Sequence, residues 1–251
     1  MTLETRLKIL LIDIETAPNL AFCWGLFEQN ISINQIQDSS YILCWAAKWL
    51  DGKEMMFDSV RKSGSKKMLE RVRKLLCEAD VVVHYNGTKF DIPTLNKEFL
   101  THKMPPPSPY KQLDLLRVSR GAFRFQSNKL DYVSQSLGLG SKTAHPGFQL
   151  WIDCMANKAD AWRLMEKYNK QDVLLLEKVY YEFRPWIKGH PNHSLYSGAA
   201  VCPHCASKHF QARGIQRTLA AIYQRFQCLD CGSWFKGDKD KTAPKQKFTE
   251  A

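Results

Sequence analysis

The sequence predicts a mixed α/β domain followed by a small cysteine-held module, and three observations predict it. Two apolar runs flank Asp51-Gly52, a dipeptide suited to a tight hairpin, so the first long strands should pair antiparallel. Further on, apolar strand-like runs alternate with segments of helical periodicity, the mark of strands interleaved with helices. Near the end, Cys202-Pro203-His204-Cys205 and Cys228-Leu229-Asp230-Cys231 stand 22 residues apart. In a chain without an export signal, that spacing reads as a structural zinc site.

The apolar run Ile9–Ile12 places a first strand over 8–14. Residues 16–40 are polar and irregular, long for a plain connection, and long loops in compact domains are often functional. Strands follow over 41–50 and 54–60. Met68, Leu69, Val72, Leu75 and Leu76 recur at helical spacing, predicting an amphipathic helix over 65–79. A strand over 80–85 comes next, then a helix over 91–102 that ends before Pro105-Pro106-Pro107. Leu113–Val118 reads as a short strand or a strand–helix junction. Lys129–Leu137 reads as a helix stopped by Gly138 and Gly140, and 159–184 as one long helix. The domain expected at 1–188 is joined by a linker over 189–199 to the cysteine module at 200–236. A disordered basic tail is expected over 237–251.

Net charge is +11 with a pI near 9.2, a surplus that fits a polyanionic partner. No stretch approaches the ~20 apolar residues of a membrane span, so no membrane partner is expected. The N-terminus lacks the basic-then-apolar layout of a signal peptide, which predicts a cytoplasmic protein. Cys23, Cys44, Cys77 and Cys154 are scattered among mostly apolar neighbours and read as small buried hydrophobes.

Three acidic motifs carry the chemistry. Strand alternation puts Asp13 and Glu15 on one face while Ile14 points back to the core. Two adjacent acids at the end of a buried strand repel each other and lose hydration, a conflict that a hard divalent cation resolves. A strand that simply ends in solvent is the plain alternative. Asn86-Gly87-Thr88-Lys89-Phe90-Asp91 follows the apolar run Val81-Val82-Val83, and Tyr168 and Asp172 stack at i, i+4 on the long helix. In their order the three motifs resemble the DEDD (DnaQ-like) superfamily of 3′→5′ exonucleases, in its tyrosine-bearing subclass, with a ribonuclease H-like fold.

That resemblance implies hydrolysis of phosphodiester bonds at single-stranded DNA 3′ ends with two Mg²⁺ (or Mn²⁺) ions. Asp13 would bridge the ions, Glu15 and Asp172 would complete the tighter site, and Asp91 would act on the second ion through water. Tyr168 would orient the attacking water. Thr16 and Asn86 are expected strand contacts, although Asn86-Gly87 also reads as a plain turn. A 3′→5′ exoribonuclease with the same site and a non-catalytic nucleic-acid-binding adaptor stand as alternatives. At this length no polymerase region is expected, so any proofreading is expected to act in trans.

Tyr85, Phe90 and Trp151 could stack on bases but read more simply as core. Asp131 reads as a helix N-terminal carboxylate, Asp114 as a supporting acid, and His145 as a loop residue too far from Asp172 to replace Tyr168. The cysteine module resembles a zinc ribbon holding one Zn²⁺ through Cys202, Cys205, Cys228 and Cys231, with His204 and His209 as spare donors. A redox C-x-x-C is disfavoured because neither pair opens a helix. Arg213, Arg217 and Arg225, with Tyr223 and Phe226, mix cations and aromatics as single-strand binders do, and protein docking is the alternative.

Overall fold

The computed structural model describes residues 6–218 and 221–239. Its first half contains β1 (Ile9–Thr16), β2 (Leu20–Ala21), β3 (Ile36–Asp38), β4 (Ile42–Trp49), β5 (Met55–Ser59), α1 (Val60–Ser63), α2 (Ser65–Glu78), β6 (Val81–His84) and α3 (Asp91–Thr101). Then come β7 (Lys111–Asp114), α4 (Leu115–Ala122), α5 (Leu130–Ser136), α6 (Gln149–Met155), α7 (Ala159–Phe183) and α8 (Ser194–Ser197). Strands β8 (Phe210–Arg217), β9 (Ile222–Cys228) and β10 (Trp234–Lys239) close the described chain. Among the described residues two compact units result: Lys8–Tyr180, and a second that gathers residues 6–7 with those from Tyr181 onward.

The first unit is built on a five-stranded sheet in the order β5-β4-β1-β6-β7. β4 pairs antiparallel with β1 and β5, while β6 runs parallel to β1 and β7, so the sheet is mixed as expected. The antiparallel turn works through Asp51, which takes a φ of 61°, and Gly52, whose N–H donates to the Trp49 carbonyl at 2.9 Å. The connection runs over 50–54 and is longer than a two-residue hairpin. Burial between helices on both faces explains why the β1 and β6 runs are continuously apolar.

Alternation along β1 turns Leu10, Ile12 and Ile14 into one core and Asp13 and Glu15 to the opposite face. Leu10, Ile12 and Ile14 pack with Met68, Leu69 and Val72 of α2 and Leu95 and Phe99 of α3. On the other side Leu43 and Cys44 of β4 meet Leu150 and Cys154 of α6 and Met165 and Tyr168 of α7. Glu15 lies opposite Cys44 in the ladder, so Asp13 and Glu15 share the face that α7 covers. Leu113–Val118 resolves as a strand–helix junction, with Asp114 capping α4 through the Leu116 N–H at 3.0 Å. Residues 16–40 hold the small β2–β3 pair and leave Phe22, Trp24, Leu26, Phe27 and Ile33 exposed.

In the second unit β10-β9-β8 form an antiparallel sheet. Phe210, Phe226 and Phe235 pack ring against ring on one face, with centroids 5.4–5.7 Å apart. Residues 189–199, expected as a linker, are folded: the His193 N–H donates to the Pro203 carbonyl, and His190 stacks on His204 at 4.9 Å. β10 carries the module to Lys239, and the rest of the expected tail, 240–251, lies outside the described residues.

Candidate active site

β1 and α7 meet to bring three of the predicted acids together. Carboxylate oxygens of Asp13, Glu15 and Asp172 lie within 4.8 Å of one another. Asp91, the first residue of α3, lies outside that cluster and is buried, accepting from the Ile14 N–H at 3.2 Å. It is close enough to raise the Asp13 pKa by repulsion. Asp13 accepts from Asn169 Nδ2 at 2.7 Å, and Glu15 accepts from the Trp151 indole at 3.2 Å.

Electrostatics show the cost of this arrangement. Burial, then repulsion from Asp91, Glu15 and Asp172, pushes the Asp13 carboxyl well above its ordinary range. Burial and Asp172 push Glu15 up to about 7, and burial pushes Asp91 up to about 7. Burial also raises Asp172, against the opposing pull of Lys142. Carboxyls held so high are carboxylates short of positive charge.

Lys142 supplies one such charge. Its Nζ donates to Asp172 Oδ2 at 2.5 Å and to the Tyr168 hydroxyl at 3.1 Å. Burial works against the ammonium, but Asp172 and Tyr168 outweigh it and hold Lys142 charged. Asp172 Oδ1 is buried without a hydrogen-bond partner among the described residues. An orphaned carboxylate oxygen on a residue clustered with two further acids is the donor set a hard divalent cation takes, so these residues fit one.

The neighbouring turn is fixed by backbone geometry. Asn86 takes a φ of 69°, and its N–H donates to Asp114 Oδ1 at 2.9 Å while its carbonyl accepts from Lys89 and Phe90. Gly87 donates to His84 Nδ1 at 3.1 Å, which leaves His84 neutral with its proton on Nε2, toward Gln112. Burial lowers the His84 pKa to match. A Cβ on Gly87 would stand 2.4 Å from the His84 ring, so only glycine fits there. Asn86 is therefore both a turn residue and part of a cleft of about 610 Å³ beside Asp13, lined also by Tyr85, Arg120, Lys129 and Lys142.

Other predicted residues fall as follows. Thr16 ends β1, half-buried, after a register shift. Phe90 is 44% exposed, whereas Tyr85 donates to the Asn128 carbonyl at 2.7 Å. His145, set aside in the sequence, packs edge-on against Tyr168 and Trp151 at 4.9 and 5.2 Å. Asp131 sits in the first turn of α5 and accepts from the Lys142 backbone N–H at 2.8 Å, fixing the loop that delivers Lys142. Sequence reasoning missed Lys142, Asn169 and the role of Trp151.

In the second unit, Cys202, Cys205, Cys228 and Cys231 place their sulfurs within 4.8 Å of one another, a cluster that fits a zinc ribbon. His204 turns to the Arg184 carbonyl and His209 to Asp230, so neither adds to the thiolate set. Arg213, Arg217 and Arg225 are exposed, whereas Phe226 belongs to the inward phenylalanine cluster.

A mixed sheet whose central strand delivers paired acids to a helix-borne Tyr–Asp pair defines a ribonuclease H-like nuclease fold. A family model described as RNase_H superfamily (RNase_H_2) matches residues 10–184, and the chain belongs to that superfamily. Among solved structures, the family B DNA polymerase from the hyperthermophilic archaeon Pyrobaculum calidifontis is similar in fold, with 16% identity and a TM-score of 0.51. The match covers 71% of this chain and 25% of the polymerase chain. No curated protein matches this chain. Among the described residues, no helix is long and apolar enough to cross a membrane.

Proposed function

We infer that the protein is a metal-dependent 3′→5′ exonuclease that acts on single-stranded DNA ends. The observation that carries this reading is the Asp13–Glu15–Asp172 cluster, with its orphaned Asp172 oxygen, beside a cleft lined by Arg120, Lys129 and Lys142. Two Mg²⁺ or Mn²⁺ ions, when bound, would stabilise charge on the attacking and leaving oxygens of a phosphodiester.

The chain's own residues do the rest. Asp13, Glu15 and Asp172 would hold the ions, with Asp91 behind them. Asn169 and Trp151 fix the orientation of Asp13 and Glu15. Lys142 takes Asp172 Oδ2, leaving Oδ1 for a cation. Burial and Asp172 raise Tyr168 to about 12, so it keeps its proton at neutral pH and cannot be a general base. Its hydroxyl accepts from Lys142 and keeps its own hydrogen to orient the attacking water. Asn86 and Thr16 would contact the strand, and the four cysteines of the second unit would hold one structural Zn²⁺.

The test is a magnesium-dependent digest of matched DNA and RNA single strands by the full chain and by Asp13→Asn. Faster loss of the DNA strand, abolished in the variant, is the expected result. Equal digestion by Asp13→Asn would overturn the site.

A further inference from the structure

The outward face of the β8–β9–β10 sheet carries an electrostatic cost that its own fold does not explain. Pairing puts Lys236 directly opposite Arg225, and like charges so placed destabilise a sheet. Among the described side chains the three strands carry Arg213, Arg217, Arg225 and Lys236 against a single acid, Asp238. Asp230, the nearby acid of the second cysteine pair, is engaged by Ser207 and His209.

Aromatic rings, not carboxylates, hold the cations in place. Alternation on β9 sends Phe226 to the phenylalanine cluster and Tyr223 and Arg225 to the opposite face, where Trp234 and Lys236 of β10 join them. The Arg225 guanidinium lies over the Trp234 ring at 4.9 Å, and its Nε donates to the Arg213 carbonyl at 2.9 Å. Lys236 Nζ stands 4.2 Å over the Tyr223 ring. Trp234 keeps 48% of its surface exposed. A guanidinium over an exposed indole is a surface on which a base stacks, and an ammonium beside it suits a phosphate.

We propose that this face, built on Tyr223, Arg225, Trp234 and Lys236, binds single-stranded nucleic acid, with a base stacked on the Arg225–Trp234 pair and a backbone phosphate at Lys236. The opposed cations are then relieved by the ligand's charge. The inference takes its substrate class from the nuclease reading, but its binding chemistry does not depend on cleavage. Tethering such a face to the catalytic unit raises the strand's effective concentration there.

The test is fluorescence anisotropy of a labelled single-stranded DNA oligonucleotide with the full chain in magnesium-free buffer, as Kd against salt. Zinc content and circular dichroism confirm that each variant is folded. The Arg225→Gln/Lys236→Gln double variant should raise Kd about tenfold or more and reduce the slope of log Kd against log salt by about 0.7, the contribution of one phosphate contact on a single strand. Arg225→Lys keeps the charge and loses the plane, so Kd should rise severalfold with the slope retained. Unchanged Kd and slope in the double variant would overturn the proposal and give the face to a protein partner. The same samples are assayed for cleavage with magnesium. A Kd shift in a chain that cleaves nothing would support the face and refute the nuclease reading.

Discussion

Glu15→Gln should stabilise the metal-free protein while removing its response to magnesium. The folded state holds the Glu15 proton more tightly than the unfolded chain does, with the pKa raised from 4.5 to about 7. Stability is therefore greatest below the ordinary carboxyl range and falls as pH rises through about 7. A shift of that size is on the order of 3 kcal/mol at pH 8. Glu15 is only half-buried, so solvent screening reduces the figure to about 1–3 kcal/mol. The amide keeps an oxygen for the Trp151 indole, so packing is preserved. For a unit of this size the gain corresponds to roughly 3–10 °C in Tm. Thermal unfolding followed by circular dichroism at pH 8, with and without magnesium, measures it. The parent should gain Tm on adding magnesium and the variant much less. A variant that melts below the parent without magnesium, or gains as much from the ion, would refute the reasoning.

Tyr168→Phe should slow single-turnover cleavage by about 10²–10⁴ with little change in Kd for a single strand, because only a positioning hydroxyl is lost. Lys142→Ala removes a charge-assisted hydrogen bond from Asp172 and should lower the same rate about tenfold or more; an unchanged rate would make Lys142 a bystander. Gly87→Ala forces a methyl into the His84 ring and should cost about 1–3 kcal/mol, read as a lower Tm.

The pairing of Asp13 with Glu15, and of Tyr168 with Asp172, was legible because each is local. Alternation on one strand aligns Asp13 with Glu15, and one helical turn aligns Tyr168 with Asp172. The mixed sheet was legible for the same reason, since its strand runs and helical periods are each written within a few residues. Lys142 was not legible, because it comes from an irregular loop and reaches Asp172 only through tertiary closure, held by Asp131. Asn169 reads in the sequence as one polar residue on a helix, and only the approach of α7 to β1 shows that it orients Asp13. Helix α6 escaped because it is short and follows Pro146-Gly147, so the Trp151–Glu15 contact escaped with it. Trp234 and Lys236 became partners of Arg225 and Tyr223 only through the register of β9 and β10.

One digest tests both the direction of cleavage and its metal dependence. A single-stranded DNA oligonucleotide labelled at its 5′ end, and the same oligonucleotide labelled at its 3′ end, are incubated with the full chain with and without magnesium. With magnesium, the 5′ label should move down a ladder one nucleotide at a time, and the 3′ label should appear at once as mononucleotide. Without magnesium, both should stay intact. A mononucleotide released first from the 5′ label, internal fragments from both, or cleavage without added divalent cation would contradict the account.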